Sequence, residues 1–352
     1  MALTTRGKAL VAGGAVVAVL GGGMAALALS GNAPDSIQRA LGSVPGVPDP
    51  VEPCPLTGET LPGDEAPPDR PVLAVKVENT PDAQPLAGLQ GADIVYEEVV
   101  EGGITRFVAL FHCDDANRIG PVRSIRSTDP AILAPFSEHP LLAFSGGSKG
   151  VRTIVEDAGM TTMDEDSASK AFTRDDARIV PHNLFTSTKP LWAKAVKLAQ
   201  GEPAPASPFT YDDEVLTPSK KVRSATVVFS GLATAEWRWS KGHWVRYLEG
   251  SPMMLESGGP ITADNIVIQV VKTTESDFQD VSGYPSPEVD LIGSGKVWVL
   301  RDGKLIVGKW ERSDESGFTT FTKSGDEIAL KPGTTFVELA PRGMFDAEIS
   351  FG

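Results

Sequence analysis

The residue types best suited to chemistry crowd into residues 76–129, where Arg106, Arg123 and Arg126 stand among Glu97, Glu98, Glu101 and Asp129. Arginine suits a phosphate or a carboxylate, because its planar fork donates two hydrogen bonds at once. Arg123 and Arg126 are three apart. On an extended chain they face opposite ways; on a turn at a strand end they converge on one anion. The same residues also have a purely structural reading, in which the three arginines pair with Glu97, Glu98 and Asp129 as partly buried ion pairs. Glu97 and Glu98 are adjacent on an expected strand and point to opposite faces, a poor arrangement for a two-carboxylate glycosidase.

Two further segments could join such a site. Ser145-Gly146-Gly147 follows an expected strand and opens a helix, where free backbone N–H groups cradle an anion; a plain tight turn explains it equally well. Pro181-His182-Asn183-Leu184 puts a histidine in a loop, where it orients a group in a cleft or caps a turn. The chain has no Gly-x-x-x-x-Gly-Lys-Ser/Thr loop, dinucleotide fingerprint or His-Glu-x-x-His helix. No cofactor and no metal set is expected from these patterns.

The elements that must position these residues belong to a chain of 352 residues, 41% hydrophobic and 22% charged, enough to bury a core. A formal net charge of −14 argues against a bulk electrostatic grip on nucleic acid. Residues 9–30 carry no charge and follow Arg6 and Lys8. That is a transmembrane helix with its N-terminus in the cytoplasm, which places residues 31–352 outside the cell membrane on a single pass. A signal peptide cleaved near Ala26-Leu27-Ala28, leaving a secreted protein, is the alternative. Neither cysteine lies just after the apolar run, so lipid attachment there is not expected.

Residues 31–70 hold nine prolines and read as an extended stalk. In an oxidising compartment the two cysteines, Cys54 and Cys113, are expected to form a disulfide; a reactive Cys113 thiol beside His112 is the other reading. Strands are expected at 72–78, 94–99, 104–112 and 141–144. Helices are expected after Asp129, over 147–159 and over 190–200. Residues 201–220 are proline-rich and mark a linker. Beyond it only strands are expected, with hairpin turns at Lys241-Gly242 and Asp302-Gly303. The fold class is therefore α+β: a membrane segment (1–30), a stalk (31–70), a mixed α/β domain (71–200), a linker (201–220) and a mainly β domain (221–352). Trp237, Trp239, Trp244, Trp298 and Trp310 read as core packing, or alternatively as a sugar platform.

The segments KVENTPDAQPLAGLQGADIVYEEVVEGGITRF, IGPVRSIRSTDPAI and PHNLF resemble the YerB-like family, a bacterial envelope family named as a domain of unknown function. KVWVLRDGKLIVGKWER and ALKPGTTFVELAP resemble its C-terminal domain. The resemblance implies a two-domain exported protein and no reaction. A looser similarity, to LytR-CpsA-Psr phosphotransferases, follows the order Arg106, then Arg123 and Arg126, then Phe144-Ser145-Gly146-Gly147. That family's Arg-x-Asp is absent, since Phe107 and Val108 follow Arg106. The expectation is a non-catalytic envelope protein that binds a cell-wall polymer, a lipid-linked precursor or a wall-synthesis partner through Arg106, Arg123 and Arg126, with Ser145, Gly146, Gly147, His182 and Asn183 nearby. The alternative is a metal-dependent phosphotransferase acting on a polyprenyl-phosphate-linked glycopolymer, with a carboxylate among Glu97, Glu98, Glu101 and Asp129 holding the ion.

Overall fold

A computed structural model describes residues 51–195, 203–215, 217–279 and 283–352. The apolar run 9–30, residues 31–50 of the stalk and the end of the helix expected to reach Gln200 lie outside those residues. Among the described residues, no helix is long and apolar enough to cross a membrane. Cys54–Glu59 and Pro67–Gly352 form one compact unit. The described residues of the other unit, 51–53 and 60–66, hold a 3-10 turn at Pro62–Asp64.

The strands of the first half are β1 (Leu73–Glu78), β2 (Ile94–Val99), β3 (Thr105–Phe111), β4 (Leu141–Ala143), β5 (Thr161–Met163), β6 (Phe172–Arg174) and β7 (Leu184–Thr186). Helices Asp129–Leu133, Lys149–Asp157 and Thr188–Ala195 lie among and after them. The second half contributes β8 (Lys220–Lys221), β9 (Ser224–Ser230), β10 (Ala233–Ser240), β11 (His243–Leu248), β12 (Ser251–Pro252), β13 (Thr262–Ala263) and β14 (Asn265–Gln279). It continues with β15 (Pro285–Asp290), β16 (Gly293–Arg301), β17 (Lys304–Arg312), β18 (Thr320–Lys323), β19 (Asp326–Glu327), β20 (Thr335–Gly343) and β21 (Glu348–Phe351). The fold is thus mixed α/β with few helices and a largely β C-terminal region.

A single large sheet runs through both halves of the chain in the order β19-β18-β17-β16-β14-β20-β2-β3-β1-β4-β5. The joint is a parallel pairing of β2 with β20, which sets Glu97 beside Glu338. A second sheet, β12-β11-β10-β9-β21, packs on it. Leu73, Val75, Val77, Val95 and Phe107 face the shared core, because strand side chains alternate faces. Trp237 stacks edge-on against Phe336 with centroids 4.9 Å apart, and Phe107 meets Phe336 from the other side at 6.0 Å. Trp237 and Trp244 are fully buried, and Trp310 donates to the Val270 carbonyl at 2.8 Å. These three are core packing, and the partly buried Trp239 and Trp298 pack against the edge of that core.

Lys76 and Glu78 occupy the opposite face of β1 from the core. That face is also covered, so the whole of β1 is buried. Two charges on alternate positions of a buried strand must find partners there, since an unpaired buried charge is costly. This requirement creates the site described below.

Cys54 and Cys113 are joined by a disulfide that spans 59 positions. Closing a loop of that length contributes roughly 3–4 kcal/mol by restricting the unfolded chain. Beside it, Asp93 accepts from the His112 and Cys113 backbone amides. Burial pushes the Asp93 carboxyl up to about 7 against the pull of those amides. Burial, then the nearby Arg70, lowers His112 to about 4. For His112 the stabilising contribution is present above about 6.5, its unfolded value, and lost as pH falls through 4. For Asp93 it is present below about 3.8 and lost as pH rises through 7. The two slopes oppose each other between about 4 and 6.5. Asp93→Asn removes one of them, so the stability of that variant should climb with pH across the window relative to the parent. Urea midpoints at three pH values inside it test this; parallel curves for parent and variant would refute it.

Candidate functional site

The site is built on the face of β1, β2 and β3 that carries Lys76, Glu78, Glu98 and Arg106. Its centre is Glu78. Arg106 lies directly across from it on β3, with Nη2 4.0 Å from Glu78 Oε1. Arg123 Nε lies 3.6 Å from the same oxygen, and His182 Nδ1 lies 2.9 Å from Oε2. Thr80 donates to Glu78 Oε1 at 3.0 Å. Arg123, Arg106 and His182 therefore come from three separate segments to one carboxylate.

The third arginine stands beside them. Arg126 pairs with Glu101, which also accepts from Ser286. Its Nη1 donates to the Ser124 and Ile125 carbonyls at 3.1 and 2.8 Å. Arg106 is only 4% exposed. Burial, set against the pull of Glu78, draws its pKa down to about 10, and the neighbouring Arg123 and Arg126 push the same way. It stays cationic at physiological pH. Its Nη1 donates to the Thr105 carbonyl at 3.1 Å, and its buried Nε makes no hydrogen bond. The buried Nε atoms of Arg123 and Arg126 also lack a hydrogen bond, although Arg123 Nε lies 3.6 Å from Glu78. Buried guanidinium donors normally find acceptors, so these three are under-satisfied.

The structure alters the ion pairs expected of these arginines. Glu97, Glu98 and Asp129 are not their partners; Glu78 and Glu101 are. Glu98 and Asp129 hold the Lys76 ammonium between them, with all three side chains at zero exposure. Glu97 points to the other face, where Arg246 Nη2 meets its Oε2 at 2.8 Å. Arg246 Nη1 also meets Glu338 at 3.0 Å, and Trp237 Nε1 donates to Glu338 at 2.7 Å. Asn79 and Thr105 donate to Glu97 at 2.8 and 2.7 Å.

Ser145, Gly146 and Gly147 lie under this face as a support. Ser145 N donates to the Arg123 carbonyl at 2.9 Å, and Ile125 N donates to the Gly146 carbonyl at 3.2 Å. Gly146 has φ +91°, and a Cβ there would lie 2.7 Å from Ser124 Oγ. Glycine is thus needed for the close approach that seats Arg123. The following helix is capped by its own residue, since Ser148 Oγ accepts from Val151 N at 3.3 Å. Asn183 does not join the cluster. It is buried, and its Oδ1 accepts from Arg174 Nη1 at 2.8 Å, tying the base of the β6–β7 loop. Lys76, Glu78, Arg246 and Glu338 escaped the sequence reading. Their signal is a charge inside a largely apolar strand: Arg246 in β11, Glu338 among the buried residues of β20, and both Lys76 and Glu78 in β1.

Residues 56–200 match the N-terminal domain, and residues 225–337 the C-terminal domain, of a protein family of unknown function, DUF3048. The chain is 29% identical over 297 residues to "Putative lipoprotein YerB" of Bacillus subtilis (strain 168), covering 82% of this chain and 86% of that protein. It belongs to the YerB-like family. The crystal structure of YerB from Bacillus subtilis superposes with a TM-score of 0.71 at 26% identity, covering 85% of this chain and 99% of that one. The Arg106, Arg123 and His182 cluster lies wholly in the part of this YerB-like chain that matches the N-terminal domain.

Proposed function

We propose that this YerB-like protein is an exported, membrane-anchored envelope protein that holds an anionic group of a wall polymer, a lipid-linked precursor or a wall-synthesis partner at Arg106 and Arg123. The observation that carries the reading is the convergence of Arg106 and Arg123 on one carboxylate, Glu78, at 4.0 and 3.6 Å, with Nε donors left without a hydrogen bond. Three features support the placement: the apolar run 9–30 behind Arg6 and Lys8, which would span the membrane once; the disulfide; and the lipoprotein name borne by the relative. The phosphotransferase alternative needs a carboxylate free to hold a divalent ion. Glu98 and Asp129 already flank an ammonium, Glu101 holds Arg126 and Ser286, and Glu97 holds Arg246, which weighs against it.

The test is calorimetric titration of the full chain with inorganic pyrophosphate, glycerol-phosphate oligomers and muropeptides. A charge-assisted bond is worth about 1.5–3 kcal/mol, so Arg123→Gln should weaken binding by about 10- to 100-fold. Arg123 is partly exposed and its loss leaves Glu78 with Arg106, Thr80 and His182, so the variant should fold. Equal affinity in parent and variant, or no binding of any probe, would remove the site assignment.

A further inference from the structure

We infer that the ligand of this site is an amphiphile: a phosphate or pyrophosphate ester whose aliphatic chain lies against Ile179 and Val180. This rests on the anion reading above and names its ligand class.

The β6–β7 loop carries the argument. Its tip closes in a turn, with His182 N donating to the Ile179 carbonyl at 2.8 Å. Arg178 pins it to the Ala83 and Pro85 carbonyls at 3.0 and 2.6 Å, and His182 pins it to Glu78. Arg123 Nη1 reaches the Pro181 carbonyl at 3.5 Å, so the tip abuts the arginine cluster. Held in this way are two adjacent branched aliphatics, Ile179 at 81% and Val180 at 66% exposure. A single exposed aliphatic is ordinary. Two in sequence, on a loop fastened by charged side chains at a cationic site, have a use if a chain covers them.

Ile179 and His182 line one surface depression of about 420 Å³ together with Asp82, Gln84 and Arg178. The depression therefore has a polar side, from Asp82, Arg178 and His182, and an aliphatic rim at Ile179. Around Glu78, two guanidiniums face one carboxylate, leaving local positive charge for a headgroup. A bilayer surface fits less well. The chain carries −14 overall, which opposes docking on a broad anionic lipid surface, whereas a single headgroup meets only the local arginines.

The experiment uses the full chain held in phosphatidylcholine nanodiscs, with inorganic phosphate and octyl phosphate as probes and empty nanodiscs as the blank. Octyl phosphate should bind on the order of tenfold more tightly than phosphate, from the chain it buries. Ile179→Ser with Val180→Ser should abolish that difference and leave phosphate affinity unchanged. Arg123→Gln should weaken both. If phosphate binds through Arg123 and the octyl chain adds nothing, or adds the same in the loop variant, the inference fails and the anion reading stands. If neither probe binds, both fail. Capture of added phosphatidylglycerol vesicles that needs Ile179 and Val180 but not Arg123 would reassign the loop to bilayer contact and overturn the inference.

Discussion

Arg246→Met should destabilise the protein by about 3–5 kcal/mol, because it strips the one cation from two buried carboxyl groups. Glu97 and Glu338 sit side by side across the parallel β2–β20 pairing, both essentially without solvent contact. Burial, and then the neighbouring Glu97, raise the Glu338 carboxyl well above the usual carboxylate range. Arg246 faces both carboxyl groups, at 2.8 Å from Glu97 and 3.0 Å from Glu338, and compensates the charge the pair carries. The urea midpoint of Arg246→Met reports the loss. Adding Glu97→Gln to Arg246→Met should recover much of it, since the charge left behind is then gone. A variant as stable as the parent would show that Arg246 contributes packing against Trp237 and no compensation.

The same pair sets a pH limit. Glu338 has a folded pKa above its unfolded one, so its contribution is fully present below the unfolded value and fades as pH rises through the folded value. Glu338→Gln removes this titration, so it should flatten the alkaline side of the stability curve relative to the parent, read as urea midpoints against pH.

Lys76→Met should cost a comparable amount, about 3–5 kcal/mol, on the other face of the sheet. Lys76, Glu98 and Asp129 have no solvent contact, and Lys76 is the ammonium between the two acids. Asp129 also accepts from the Arg126 amide at 2.6 Å, so it fixes the turn that presents Arg126. Loss of Lys76 should therefore reduce anion binding as well as stability. The triple change Lys76→Met, Glu98→Gln, Asp129→Asn replaces the charges together and should restore most of the stability. If the triple variant unfolds as readily as Lys76→Met alone, the cost lies in shape and not in charge.

Several features were legible in the residues alone. The alternation of β1 to β3 and the turn residues of the second half follow from local rules, and the strands form where those rules place them. The limit of local reading shows at β14, which extends to Gln279 although its apolar pattern stops at Val271. Its outer part is held by β15, a partner whose proline content conceals it as a strand. The arginines show the same limit. Their types and their clustering within one stretch identified them. Their partners, Glu78 and Glu101, follow from which strand lies beside which.

By itself the sequence determined the main strands of the first half, the family motifs, the opposite faces of Glu97 and Glu98, and the clustering of the arginines near one turn. These depend on the alternation and turn preferences of a few consecutive residues. Only the tertiary structure decided that β2 pairs with β20, that Arg246 answers Glu97 from 149 residues away, and that an exposed aliphatic tip sits beside Arg123. Such choices rest on which distant strand supplies the missing hydrogen bonds and charges, and strand pairing carries no local code.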